Sequence, residues 1–472
     1  MLPDLPVKHQ HLASDPTVCA ASLRAFNHKD WRSGQAGGEE PKRNDQLFGI
    51  MPAMRILFAW ELGRNHGHVG QFADVALKLH QRGHRLAFAL RDPEVFAPLR
   101  PRFGDCPVLQ APHHPACAPP PGQPPFGPLF YPDELLNCGY HDTDTIAALI
   151  DRWQSLFEQF QPDLLVTQAA PTALLAARGR EFPTAALGHG YDVPHLETPM
   201  PVFRHWEPYD KARLSQRERA LLWRINSALQ KRGITRLSTF ADMLKADRTF
   251  LCTLAEFDHY PQRAAYPGHI NYLGPIYKVD SGLEVKWNAG DRHRVFAYLH
   301  PTSNIFRPVM HGLLELPHDY DVVVAAPGIS PPLAAGLRHP NLRIFDTAVR
   351  LDGLLDECDL GINHANPGTC CALVLRGKPV LMFPTQVEQL MFAHAVCKTG
   401  SGALLAGRPN GSRIRRAIEQ LLECRECQRA AKRVARRYAD LGNDRITTRI
   451  ATDLEKLGGR PRQQPLGRPR FP

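Results

Sequence analysis

The chain has 472 residues, 43% hydrophobic and 22% charged, with a formal net charge of +10. At about 150 residues per domain that length allows two or three domains, and the ordinary globular composition excludes a wholly disordered, collagen-like or coiled-coil chain. No run of about 18 apolar residues occurs, so no transmembrane helix is expected.

The 11 cysteines follow no framework spacing. A chain this large needs no disulfide staples, and no apolar signal segment stands at Met1, so a reducing, cytoplasmic compartment is expected. Residues 1–53 mix His, Gly, Lys and Glu without apolar periodicity and are expected to be a disordered or mis-assigned arm. Regularity starts at Met54. Arg55 to Trp60 reads as a buried strand, a glycine-punctuated turn runs from Gly63 to Gly70, and Phe72, Val75, Ala76 and Leu79 recur at helical spacing. Leu86 to Leu90 is a second strand, and a strand, helix, strand unit predicts a parallel α/β sheet. The turn lacks the GxGxxG spacing of a dinucleotide site. It places His68 at a helix start, where the positive end of the helix dipole disfavours imidazolium. The residues alone leave His68 as either a turn cap or a neutral base.

Ten prolines fall between Pro107 and Pro132, which predicts a long loop without helix or central strand. Asp142-Thr143-Asp144 has the letters of a metal-binding Asp-x-Asp, but it precedes the helical run Ile146 to Ile150 and reads better as a helix cap. Asp163 to Val166 and Thr184 to Leu187 read as strands flanking a helix near Thr172, residues 205–245 as a charged helical stretch, and Leu251 as part of another strand. Tyr266 to Asp280 has the composition of an interdomain linker. A second alternation follows, with strands expected at Val295 to Leu299, Val322 to Ala325, Leu342 to Phe345, Leu360 to Ile362 and Pro379 to Phe383.

From Ile414 to Leu441 an apolar stripe keeps helical spacing and carries both Cys424 and Cys427. Without a second pair at zinc-site spacing, these read as core cysteines rather than a metal site. Between Arg413 and Arg470 stand 16 Lys+Arg against 7 Asp+Glu, a surplus of 9. A solvated helix face followed by a disordered tail over 458–472 is expected. No aromatics interleave with the arginines, so nucleic acid is not an expected partner. A weak, peripheral contact with an anionic membrane stays open.

The densest chemistry lies at Cys358-Asp-Leu-Gly-Ile-Asn363-His364-Ala-Asn-Pro-Gly368-Thr369, continuing to Gly377-Lys-Pro379 and Pro384-Thr-Gln-Val-Glu388-Gln389. A strand ending near His364, a small-residue turn and a helix opening near Thr369 present backbone N–H groups suited to phosphate oxygens. In order and register this stretch resembles the donor-binding signature of GT-B glycosyltransferases of the UDP-glycosyltransferase type (family 1). Gly67-His68-Val69 is similar to the family's Gly-His turn after the first strand, and Gln161 to Val166 and Gly188 to Gly190 are similar to the middle of its acceptor half.

The resemblance implies an α/β fold of two Rossmann-like domains facing across a cleft. Residues 54–270 would bind the acceptor, and 271–457 would bind the donor and carry the C-terminal helix. It implies transfer of a sugar from a nucleotide-diphosphate donor, UDP-sugar favoured, to a hydroxyl of a small-molecule or lipid acceptor. Inversion is expected, with no metal and no cofactor beyond the nucleotide sugar. His68 would be the general base. His364, Gly368, Thr369 and Ser303 would meet the donor diphosphate, and Glu388 and Gln389 the transferred sugar. Some positions depart from the pattern. Ala365 and Asn366 stand where glycines are usual. Ala372 replaces the ribose-binding Glu, which leaves nucleotide and sugar unread. No Asp orients His68; Gln168 could orient it without stabilising an imidazolium, and Asp192 is a substitute. The alternatives are a catalytically inactive nucleotide-sugar-binding relative and a nucleotide-sugar epimerase of the same fold.

Overall fold

The computed structural model describes residues 52–63, 67–114, 127–265, 271–407 and 409–459. In the first half the order is β1 (Arg55–Trp60), α1 (Gly67–Gln81), β2 (Arg85–Leu90), α2 (Arg100–Phe103), β3 (Val108–Gln110), α3 (Tyr131–Asn137), α4 (Thr143–Phe160), β4 (Leu164–Gln168), α5 (Pro171–Ala176), β5 (Thr184–Gly188), α6 (Lys211–Gln230) and β6 (Arg248–Leu251). The second half continues with β7 (His293–Tyr298), α7 (Phe306–Leu314), β8 (Tyr320–Ala325), α8 (Pro331–Ala335), β9 (Leu342–Phe345), β10 (Leu360–Asn363), α9 (Pro367–Val374) and β11 (Val380–Met382). The last elements are α10 (Val387–Thr399), β12 (Gly402–Leu404), α11 (Gly411–Glu423), α12 (Arg425–Arg437) and α13 (Asn443–Gly458).

The strands form two six-stranded sheets, β3-β2-β1-β4-β5-β6 and β12-β11-β10-β7-β8-β9, parallel throughout. Both repeat one doubly wound order, in which the first and fourth strands of the half lie side by side and the winding reverses between them. Strands covered on both faces read as unbroken apolar runs; Ile56 to Trp60 and Val322 to Ala325 are buried in full. In α1, Val69, Phe72, Val75, Ala76 and Leu79 face the sheet, and the rings of Phe58, Phe72 and Phe88 cluster with centroids 5.4, 5.6 and 6.2 Å apart. At Gly361 in β10 a Cβ would lie 2.1 Å from Leu373, so only glycine lets α9 settle this close to its strand.

Several expectations change. Inside the proline-dense stretch, Val108–Gln110 is proline-free and pairs with β2 at the sheet edge, and Pro132 sits in the first turn of α3, where its missing N–H costs nothing. Of the charged stretch 205–245, only Lys211–Gln230 is α-helix, started by Asp210, whose carboxylate accepts from the amides of Ala212 and Arg213. The stripe from Ile414 to Leu441 is two helices. Between them Cys424 leaves helical geometry and its sulfur accepts from the Cys427 amide at 3.2 Å, so Cys424 caps α12, while half-buried Cys427 packs against the core. Asp142 is the N-cap of α4, accepting from Thr145 N at 2.7 Å.

The last helix also moves. Chain order groups α13 with the second half, but Ile446, Ile450, Ala451, Leu454 and Leu457 share a core with Met54, Ile56, Val75 and Leu164 of the first. Each such Ile or Leu contributes about 1.5–3 kcal/mol by leaving water. The disorder expected over 1–53 and 458–472, and much of the proline-dense loop, falls on residues 1–51, 460–472 and 115–126, outside the described residues. No helix among the described residues is long and apolar enough to cross a membrane.

Candidate functional site

Ligands of doubly wound sheets bind beyond the carboxyl ends of the strands where the order reverses. In the first sheet that point lies between β1 and β4, and His68 and Gln168 flank it. His68 occupies the first turn of α1, its ring stacked on Trp60 at 5.1 Å. Its Nδ1 lies 2.9 Å from Gln168 Oε1, an acceptor, so Nδ1 carries the proton and Nε2 keeps its lone pair. Burial lowers its pKa, favouring the neutral ring. Asp192 Oδ1 stands 3.9 Å from the same Nδ1, and that carboxylate is 1% exposed. Gly63, at φ 87°, fits this corner because a Cβ there would lie 2.2 Å from His68 Nε2.

In the second sheet the reversal lies between β7 and β10. Asn363 ends β10; its buried Oδ1 accepts from the Ala365 amide at 2.7 Å and from the Cys370 thiol at 3.1 Å, and this turns the chain into α9. Ala365 takes φ 63°, a left-handed conformation that costs a residue with a Cβ about 1–2 kcal/mol. That is why glycine is usual at this position. The amides of α9 then open beside half-buried Gly368 and Thr369, where no side chain caps them. Ser303 lies in the loop after β7, its Oγ 3.4 Å from the Ile305 amide.

His364 departs from its expected contact with the diphosphate. It is 1% exposed; Nδ1 donates to Phe383 O at 3.2 Å, and Nε2 accepts from the His300 amide at 3.0 Å. With both nitrogens committed, the ring ties the loop after β7 to the end of β11. Burial drives its pKa down to about 4. An unfolded histidine titrates near 6.5, so the unfolded chain binds more protons between these values. The stabilisation is complete above about pH 6.5 and is lost as pH falls toward 4, up to ~3 kcal/mol. Denaturant melts across that window are expected to show the loss, and His364→Gln is expected to flatten it.

The start of α10 faces the first half. Glu388 Oε1 lies 3.4 Å from His259 Nε2 and 3.7 Å from His189 Nε2, and His189 Nδ1 lies 3.2 Å from Asp192 Oδ2. Gln389 turns back on its own loop: Oε1 accepts from the amide and hydroxyl of Thr385 at 2.9 and 3.0 Å, which leaves only its NH2 for a sugar. A cavity of about 440 Å³ opens beside Asp192, walled by Tyr131, Leu174, Val193 and Leu244, with Asp192, His195, Glu197 and Arg263 among its polar groups. Tyr131 comes from the proline-dense stretch and Leu244 from the charged one, so both segments supply part of this wall.

Sequence reasoning missed several residues here. Glu61, after β1, is buried; its carboxylate accepts from the amide and hydroxyl of Thr172 and so binds the end of β1 to the start of α5. Burial raises its pKa to about 7 against those bonds. His300 and His259 carried no motif, Asn363 stood in the signature stretch without a role, and His189 lay in the Gly188–Gly190 stretch without one. The basic C-terminal helices keep Ile414, Ile418, Leu421, Ala430, Ala431 and Val434 inside, which leaves charge alone to meet an anionic surface.

No protein-family model matches the chain. Similar solved structures include CalG4, the calicheamicin glycosyltransferase, with TM-score 0.64 and 18% identity over 87% of this chain and 99% of that one. Glycosyltransferase VinC in complex with DTDP gives TM-score 0.60 and 16% identity over 86% and 99%. The chain has the GT-B glycosyltransferase fold. Among curated proteins, the PGL/p-HBAD biosynthesis glycosyltransferase of Mycobacterium tuberculosis (strain ATCC 25177 / H37Ra) is 24% identical over 320 residues, 63% of this chain and 72% of that protein. The UDP-N-acetylglucosamine--N-acetylmuramyl-(pentapeptide) pyrophosphoryl-undecaprenol N-acetylglucosamine transferase of Prochlorococcus marinus (strain MIT 9303) is 32% identical over 108 residues. That match spans 22% of this GT-B chain and 30% of the relative's length.

Proposed function

We propose that the protein transfers a sugar from a nucleoside-diphosphate donor to a hydroxyl of an acceptor held in the cavity beside Asp192. One observation carries the reading. Asp192 lies 3.9 Å from His68 and 3.2 Å from His189, and His189 lies 3.7 Å from Glu388. This unbroken polar chain sets a neutral histidine of one half beside the carboxylate that would hold sugar hydroxyls in the other.

In this mechanism His68 Nε2 takes the acceptor proton, Gln168 fixes the ring, and the Asp192 carboxylate stabilises the imidazolium. The acceptor oxygen attacks the anomeric carbon opposite the diphosphate and inverts it. The diphosphate leaves toward the amides of Gly368 and Thr369, where fixed donors stabilise the developing charge without reorganising. Glu388 and the Gln389 amide hold sugar hydroxyls, and Ser303 offers a hydroxyl from the facing loop. The names of the mycobacterial and Prochlorococcus relatives support the class of reaction. The inactive-relative reading rested on the absent Asp, and the position of Asp192 favours the active one.

A UDP-sugar stays the favoured donor. Position 372 is a buried alanine, so no side chain there selects the ribose. A thermal-shift panel of UDP-, dTDP- and GDP-sugars tests the reading. The cognate donor at a hundredfold excess over its dissociation constant should stabilise the fold by about 2.7 kcal/mol. No shift with any member would overturn it.

A further inference from the structure

We propose that His189, His259 and Glu388 form a binding site for a divalent cation of the zinc class. The three residues come from separate elements: His189 follows β5, His259 follows the short turn Ala255–Phe257, and Glu388 lies in the first turn of α10. One ligand atom from each falls within 4.8 Å of the others.

One Glu388 oxygen faces both histidines. His259 Nε2 stands 3.4 Å from it in a long hydrogen bond, and His189 Nε2 stands 3.7 Å from it, beyond one. Those separations lie at and past the long end of N–H···O bonding. They suit a tetrahedral shell, where bonds of roughly 2.0–2.2 Å place neighbouring ligand atoms about 3.4 Å apart. The outer contacts agree. His189 turns its other nitrogen toward the Asp192 carboxylate at 3.2 Å, an ion-pair distance without hydrogen-bond geometry. Among the described residues, His259, with its side chain 0% exposed, makes no hydrogen bond through Nδ1, and its Nε2 meets Glu388.

Ligand chemistry names the ion. Two imidazole nitrogens and one carboxylate oxygen suit zinc-like ions, whereas magnesium and calcium favour all-oxygen shells. Three protein ligands leave the fourth position open to water or to a ligand in the cleft. A bound ion also ties α10 to the first half. A second consequence rests on the functional reading above: an ion held by Glu388 withdraws it from sugar hydroxyls, so cation and nucleotide sugar compete.

The test uses the full chain, stripped with a chelator and titrated with Zn2+ by calorimetry without nucleotide, with Mg2+ and Ca2+ in parallel. One zinc per chain is expected. His189→Ala, His259→Ala and Glu388→Gln should each abolish it, and Asp192→Asn should weaken it about 10- to 100-fold at unchanged stoichiometry. Far-ultraviolet spectra of each variant confirm that the fold persists, and His259→Gln serves if the alanine variant unfolds. Absence of stoichiometric zinc binding would overturn the site, as would binding that survives all three ligand variants. Donor titrations with and without zinc then address the competition separately. Zinc that binds but leaves donor affinity unchanged contradicts the sugar-binding role of Glu388, not the cation site.

Discussion

His68→Ala is expected to lower acceptor-dependent turnover by about 10²- to 10⁴-fold, the usual contribution of a positioned general base. Donor affinity should hold, because His68 belongs to the first half and the proposed donor site to the second. The expectation follows from the ring's state: Nδ1 is spent on Gln168 Oε1, and burial keeps the ring neutral, so Nε2 is the free base. Asp192→Asn should cost less than His68→Ala, because 3.9 Å is a charge contact rather than a hydrogen bond to the ring. Steady-state kinetics with the cognate pair decide this. Lost donor affinity with unchanged turnover would make His68 a structural residue of the turn.

Thr369→Ala is expected to lower turnover by about 100- to 1000-fold, the effect of deleting one donor aimed at developing charge. The N-cap residue Asn366 makes no side-chain cap bond to the start of α9, which leaves its amides open beside the Thr369 hydroxyl. His364→Ala should act by another route. With both nitrogens bonded within the protein, its loss loosens the loops after β7 and β10 and lowers stability as well as turnover. Melting temperatures measured beside kinetics separate the two: Thr369→Ala should melt like the parent, and His364→Ala below it. Parental turnover in Thr369→Ala would remove the diphosphate from this helix start.

The fold was legible wherever one period dominated. Apolar runs such as Ile56 to Trp60 and Val322 to Ala325 are too short for buried helices, and the glycine and proline that mark their ends favour buried strands. The three-residue strands β3 and β12 were not legible, because so short a run holds no period and pairing at a sheet edge decides it. Helix α13 escaped for a different reason. Its stripe shows that one face is buried but not which half buries it.

The site divides in the same way. His68 and the stretch from Asn363 to Thr369 stood out because backbone geometry, glycine spacing and chemistry coincide there. His364 also stood out, yet its partners are the Phe383 carbonyl and the His300 amide, and backbone groups leave no trace in a motif. His189 lies three residues from Asp192 and stacks on His259 at 4.9 Å within the first half, and Glu388 joins them only through the return of α10, 129 residues after His259. Contacts of that range are set by packing, which no local pattern encodes.

The most direct measurement is a crystal structure of the protein grown with the nucleoside diphosphate that gives the largest thermal shift. The diphosphate should lie at the start of α9, with its oxygens in hydrogen-bond reach of the Gly368 and Thr369 amides and the Thr369 hydroxyl, and its terminal phosphate toward Glu388. A nucleotide bound elsewhere, or a diphosphate turned away from α9, would contradict a transferase whose leaving group departs at that helix.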